Sequence, residues 1–235
     1  MFKKKPIISY ESAVDFYDNV FTTAKKNIPG WYKEIPNFKN KKIFDIEKQT
    51  FNHSLKTCIP FMDALTTGYM INLPHDLLVT RNSNNGPVVT WRGDSQHAPS
   101  VRESVANPNL VPIDHFEIEF TWKLNCSFTV PIGYSMLLTH PLNRYDLPFT
   151  TLSGVVDGGY TTLHNGNVPF YIKKDFEGII LQGTPIVQVL PFYNESWLSK
   201  KKNGLLDESI KNNKKSYSVI FGWYKKTFWT QKKYL

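Results

Sequence analysis

Between residues 58 and 192 the apolar positions fall in short runs broken by turn residues. YMINL, LLVT, PVVTW, HFEIEFTWKL, YSMLLT, SGVVD, PFYIKK, EGIIL and TPIVQVLPF follow one another at short spacing. That rhythm predicts an all-β, mainly antiparallel sandwich or barrel-like domain with no long internal helix. The run from His115 to Trp122 alternates apolar and polar, which buries one face of a strand and wets the other. Before this region, residues 9–35 carry Val14, Phe16, Tyr17, Val20 and Phe21 at roughly helical spacing behind two candidate caps, Ser9 and Ser12. They predict an N-terminal helical segment ended by Pro29-Gly30. Residues 37–55 are polar and lysine-rich and read as a connector, and residues 81–110 read as loop around one short strand. The expected organisation is an N-terminal helical arm and connector over 1–57, a β domain over 58–198, and a C-terminal extension over 199–235. No internal repeat is visible.

Composition narrows the class. The 235 residues are 41% hydrophobic and 14% aromatic, enough for a packed core. Fifteen prolines among many β-branched and aromatic residues argue against an all-α chain. No apolar run reaches the roughly 18–20 residues of a spanning helix, and MFKKKPIISYES lacks the apolar stretch of a secretory signal. Neither membrane insertion nor secretion by a signal peptide is therefore expected. Two cysteines, Cys58 and Cys126, are too few for a disulfide framework. Cys58, beside an apolar run, is expected to be buried.

The charge is uneven. Residues 199–235 hold ten lysines against Asp207 and Glu208, which accounts for the entire net charge of +8. Tyr217, Phe221, Trp223, Tyr224, Phe228, Trp229 and Tyr234 are interspersed with them. Lysines among aromatic rings suit a phosphate backbone whose bases stack. Lysines without arginine forks and without a nucleic-acid motif favour instead a solvated terminal extension that packs its rings on a neighbouring subunit.

Chemical motifs are sparse. None of the six histidines has metal-ligand spacing, no Gly-rich phosphate loop is present, and Ser153-Gly154 is not a nucleophile elbow. No metal or cofactor is expected from these residues. The most informative segment is Ser153-Gly154-Val155-Val156-Asp157-Gly158-Gly159-Tyr160, whose Asp-Gly and Gly-Gly pairs mark a tight turn. Thr67-Gly68-Tyr69-Met70-Ile71-Asn72-Leu73 and Pro131-Ile132-Gly133-Tyr134 precede it. Gly183-Thr184-Pro185-Ile186-Val187-Gln188-Val189 follows it.

In this order, across roughly residues 62–192, the four segments resemble the dUTPase and dCTP-deaminase family, which has the β-clip fold. Its motifs read A-G-Y-D-L, P-x-G-Y, R-S-G, G-V-I-D-x-x-Y and G-x-x-I-A-Q-L. The chain also resembles proteins of tailed phages in NIPGWYKEIPNF, CIPFMDALTTGYMI and KKDFEGIILQGTPIVQVLPF. The family resemblance implies a homotrimer with sites at subunit interfaces. It makes Asp157 the carboxylate facing sugar and attacking water, Gly159 part of the same turn, and Tyr160 the ring under the deoxyribose. Gln188 would reach phosphate from a neighbouring subunit, and Arg144 is the arginine nearest the phosphate turn.

Departures accompany the matches. Met70 stands where the family has its aspartate, and a thioether offers no oxygen to hydrated Mg²⁺. Pro141 falls in the phosphate turn without an N–H. Thr161-Thr162 follows Tyr160 in place of the usual Arg-Gly. The Gly-rich C-terminal motif is replaced by lysines and aromatics. A degenerate, non-catalytic β-clip member is therefore expected, serving as an oligomeric phage structural or assembly module in virion or host cytoplasm. Its partners would be other copies of itself, phage proteins, or nucleic acid through the basic extension. The alternative is a dUTPase- or dCTP-deaminase-like nucleotide hydrolase or nucleotide binder, with Mg²⁺ needed only in that case.

Overall fold

The computed structural model describes residues 5–39, 42–46, 50–91, 98–102, 108–161, 168–217 and 222–235. The chain divides into two compact units, each built from two stretches of sequence. A β unit comprises Met1–Asn27 with Gly68–Asn194, and a basic unit comprises Ile28–Thr67 with Glu195–Leu235.

Antiparallel sheets make up the β unit. The largest orders five strands as β13 (Gly154–Asp157), β11 (Tyr134–Thr139), β16 (Pro185–Tyr193), β5 (Tyr69–Asn72) and β2 (Phe21–Thr23). A second orders β12 (Phe149–Thr151), β14 (Val168–Ile172), β9 (Phe120–Trp122) and β8 (Ser100–Val101). A third orders β15 (Gly178–Ile180), β6 (Leu77–Arg81) and β7 (Pro87–Trp91). Finally β1 (Ser9–Ser12) pairs with β10 (Cys126–Thr129).

Alternate side chains point to opposite faces, and β5, β9 and β16 are buried on both. The one wet face expected of His115–Trp122 is corrected, since His115, Glu119 and Thr121 are buried with Phe120 and Trp122. In the five-stranded sheet Met136, Leu138, Val189 and Ile71 point into a core shared with Trp122, Phe128, Phe149 and Phe170 of the other strands. The Trp122 and Phe170 rings stack at 3.5 Å and 6°, and Phe149 meets Trp122 edge-on at 4.9 Å. The Trp122 indole N–H is satisfied by Thr151 Oγ1 at 3.0 Å, and Thr151 in turn donates to the Ile186 carbonyl at 2.7 Å. Cys126 is buried in this core, which pushes its thiol pKa up to about 12.

The helix expected over 9–35 is corrected. Residues 9–12 are strand β1 against β10, residues 21–23 are β2 against β5, and the only α-helical turn there is α1 (Gly30–Glu34). Val14, Val20 and Phe21 are buried and Phe16 is exposed, so the apolar spacing reports burial sites on an irregular segment and not one helical face. Long-range pairing with β5 and β10 overrides the local pattern. Residues 81–110 contain β8 in addition to β7.

The basic unit has α1, a two-stranded ribbon of β3 (Phe44–Asp45) and β4 (Thr50–Phe51), α2 (Ile59–Thr66), α3 (Leu205–Tyr217) and α4 (Trp223–Thr227). Pro60 sits in the first turn of α2, where its missing N–H costs nothing. Residues 58–67 were expected to open the β domain; they form α2 and group with the C-terminal residues. Cys58, expected to be buried, is exposed at the α2 N-cap. Asp63, near the middle of α2, accepts from the Trp229 indole N–H at 2.9 Å and from Lys232 Nζ at 2.6 Å. That carboxylate holds the Lys232 pKa above its ordinary value.

Candidate functional site

The sequence motif around Asp157 ends β13, the edge strand of the five-stranded sheet, in a tight turn. Strand β13 runs antiparallel to β11 with Asp157 opposite Ser135, so both side chains share one sheet face. The Ser135 hydroxyl donates to Asp157 Oδ1 at 2.7 Å. After Asp157 the chain passes close over the turn that precedes β11. Gly158 N–H donates to the Tyr134 carbonyl at 2.7 Å and Gly159 N–H to the Val130 carbonyl at 2.9 Å. A Cβ on Gly158 would lie 2.2 Å from the Pro131 carbonyl oxygen and 2.5 Å from that of Tyr134, so no side chain fits. Gly159 has φ +83°, a left-handed conformation that other residues rarely take. Gly158 is thus explained by backbone packing and Gly159 by its backbone conformation. Thr129 Oγ1 donates to the Tyr160 carbonyl at 3.0 Å, while the Tyr160 ring is 59% exposed. Exposed Ile132 and Val155 lie on the neighbouring segments, giving this edge one carboxylate beside apolar surface.

Gln188 and Arg144 belong to a different place. Gln188 lies on β16 opposite Thr139 of β11 on one side and Met70 of β5 on the other. It is fully buried, and its Oε1 accepts from the Leu142 backbone N–H at 2.8 Å. Met70 is itself 1% exposed. The turn at 141–144 closes through Arg144 N–H to the Pro141 carbonyl at 3.1 Å. The Arg144 guanidinium forks onto Asp146, with Nε 2.9 Å from Oδ1 and a terminal nitrogen 3.0 Å from Oδ2. That is a bidentate charge-assisted pair, with the arginine nearly buried.

His140 ties this turn to β12. Its Nδ1 accepts from the Thr151 backbone N–H at 3.3 Å, so Nε2 carries the proton and donates to the Arg144 carbonyl at 3.0 Å. Burial holds the His140 pKa below its ordinary value. The Arg144 backbone hydrogen bond opposes this, Lys173 and Arg144 lower it further, and Asp146 raises it.

The candidate residues therefore form two groups. Ser135 and Thr139 are four residues apart on β11, so the Asp157 and Gln188 positions are offset by roughly 13 Å along the strand direction, on strands that flank β11 on opposite sides. Asp157, Gly159 and Tyr160 share the exposed sheet edge. Arg144 and Gln188 share a buried turn and are occupied with holding it. Ser135, which orients Asp157, was missed by sequence reasoning; the signal was a serine inside the apolar strand YSMLLT. Asp63 was also missed, and its signal was a lone carboxylate in the apolar run IPFMDALTT. Among the described residues no three His, Cys, Asp or Glu side chains cluster as a metal site, and no helix is long and apolar enough to cross a membrane.

No family model matches the chain, and no curated protein matches it. Solved structures similar to it include two staphylococcal phage dUTPases. One is a point mutant of the dUTPase from phage phi11 of S. aureus, described for its coordination of a structural Mg(II) ion. It is 12% identical with a TM-score of 0.32, over 84% of this chain and 97% of that one. The other is a point mutant of the Staphylococcus bacteriophage 80alpha dUTPase with dUpNHpp. It is 18% identical with a TM-score of 0.26, over 54% of this chain and 88% of that one. Overlaps this slight do not place the chain in a family; the β unit itself is a mainly antiparallel β structure.

Proposed function

We propose that this chain is a non-catalytic β-clip module that works by self-association, as a structural or assembly component of a phage in the virion or the host cytoplasm. The observation that carries the reading is the internal use of Gln188 and Arg144. A fully buried glutamine bonded to Leu142 N–H, and an arginine forked onto Asp146, leave neither group directed at a phosphate. Buried Met70 offers no oxygen where the resembled family has its carboxylate. Phosphoryl chemistry depends on fixed donors and a metal placed on the developing charge. Losing one well-placed donor costs ~10²–10³ in rate, so with Gln188 and Arg144 engaged internally and Met70 in place of a carboxylate no measurable turnover is expected. Exposed Ile132, Val155 and Tyr160 beside β13 supply apolar surface for another copy, and a trimer is the assembly the sequence resemblance implies.

The second reading is a nucleotide binder or hydrolase. It is favoured by Asp157, exposed at the end of edge strand β13 and oriented by Ser135, next to the exposed Tyr160 ring. Titration calorimetry and pyrophosphate release with dUTP, dCTP and dUMP in the presence of Mg²⁺ separate the two. The proposal expects no release. Robust release that disappears in Asp157→Asn would transfer the function to the second reading. Light scattering tests self-association, and a monomer at micromolar concentration removes it.

A further inference from the structure

The excess charge segregates by unit, which sequence position alone does not show. The β unit holds twelve basic and thirteen acidic side chains, a net −1. The basic unit holds sixteen lysines and seven acids, a net +9. Lys33, Lys39, Lys42 and Lys56 come from its first stretch and the other described lysines from its second, so two distant stretches of sequence contribute to one basic body.

Sixteen lysines face only seven acids in this unit, and one of those acids, Asp63, is paired with Lys232. Lys211, Lys214, Lys225 and Lys226 are exposed on α3 and α4. A second feature accompanies the charge. Every described lysine seated over an aromatic ring lies in this unit: Lys42 over Phe51 at 4.7 Å, Lys56 over Tyr32 at 4.6 Å, Lys215 over Trp223 at 5.9 Å and Lys225 over Trp229 at 5.5 Å. Tyr224 and Phe228 of the same helical turn expose 41% and 55% of their surface.

We propose that the basic unit binds single-stranded nucleic acid without sequence preference, through its lysines to the phosphates and its exposed rings to the bases. An ammonium held beside a ring presents the two groups a nucleotide needs, a cation for phosphate and a flat face for the base. Lysine without arginine forks supplies point charges, which suits backbone tracking and not base-edge reading. The anchor from Asp63 to Trp229 and Lys232 ties the end of the lysine–aromatic stretch to α2. This proposal is independent of whether the β unit is catalytic.

The experiment is fluorescence anisotropy of a dye-labelled oligothymidylate with the full chain across a salt series. Heparin, a polyanion without bases, and anionic phosphatidylglycerol vesicles run in parallel, since α3 also exposes Leu206 and Ile210. Binding should weaken steeply with salt. In the variant K211Q/K214Q/K225Q/K226Q the slope of log affinity against log salt should become shallower by about 0.7 for each lysine that contacts phosphate. Replacing Tyr224 and Phe228 by alanine should weaken the oligothymidylate about tenfold or more and leave heparin unchanged. Absence of oligothymidylate binding at low salt overturns the proposal. So does an unaltered salt slope in the lysine variant, equal loss for heparin and oligothymidylate in the ring variant, or capture by vesicles alone. The lysine variant changes only exposed side chains, so it stays informative if the ring variant fails to fold.

Discussion

The two units solve different physical problems. In the β unit one continuous cluster of buried side chains runs through all the larger sheets, and its charges nearly cancel. In the basic unit the buried hydrophobics among the described residues are Tyr32 and Leu65, while sixteen lysines crowd a body of 81 residues. Hydrophobic burial is the dominant favourable term in folding, and excess like charge opposes compaction. The β unit is thus organised from its inside. The basic unit carries its conspicuous features on its surface and holds its ends with a few specific contacts. Substitutions should report that difference: large global effects in the first, local or binding effects in the second.

The largest effect belongs to Trp122→Ala. It removes the ring stacked on Phe170 at 3.5 Å, the edge contact with Phe149, and the donor to Thr151. Aromatic truncations in a core cost ~3–5 kcal/mol. Denaturant unfolding followed by circular dichroism should show a loss of that order, and a change below about 1 kcal/mol would mean that the cluster is not the seat of stability. Gly158→Ala comes next. Its new Cβ would meet two backbone carbonyls that cannot rotate away, so β13 must shift from β11. An overpacking cost of about 1–3 kcal/mol is expected, with amide shifts concentrated at Asp157 and Ser135 in a nitrogen–proton spectrum.

A smaller, pH-dependent effect comes from His140. Its folded pKa is depressed by burial, so the unfolded chain binds a proton first as pH falls. The stability this neutral histidine contributes is complete above its ordinary pKa of 6.5. It is then lost as pH drops through the lower folded value, where protonating Nδ1 breaks the bond from Thr151 N–H. His140→Gln should flatten this part of the stability–pH curve; an unchanged curve would assign the acid sensitivity to other groups.

The same contrast explains what could be read from the sequence. The β unit was legible over 68–192 because strand alternation and turn residues are local signals, and β11, β13 and β16 fall where YSMLLT, SGVVD and TPIVQVLPF stand. Gly158 and Gly159 were legible as a turn, though not as a close pass against the Pro131 and Tyr134 carbonyls. Residues 9–23 were misread because their partners, β5 and β10, lie 46 to 120 residues away. Gln188 shows the limit for the site. Its position in G-T-P-I-V-Q-V is visible, while its engagement with Leu142 N–H depends on a turn 46 residues upstream. The basic unit was least legible, since α2 and the C-terminal helices group across more than 120 residues of intervening chain.

The smallest expected effect tests how the basic unit holds its C-terminal end. Asp63 accepts two donors of different kinds, a neutral indole N–H and an ammonium. Asp63→Asn keeps an acceptor for Trp229 and removes the charge facing Lys232; Asp63→Ala removes both. Neither should move the main unfolding transition, because neither side chain enters the core cluster. Limited proteolysis should instead cut the C-terminal residues faster in both variants, by roughly a few-fold, as local opening becomes easier. Salt distinguishes the two contributions. In the native chain, added salt should accelerate cleavage by screening the partly exposed Asp63–Lys232 pair. In Asp63→Asn that acceleration should vanish while protection by Trp229 persists, and in Asp63→Ala both should be gone. If native and Asp63→Asn chains are cut at the same rate at every salt concentration, the indole contact alone holds the end and the ion pair is incidental.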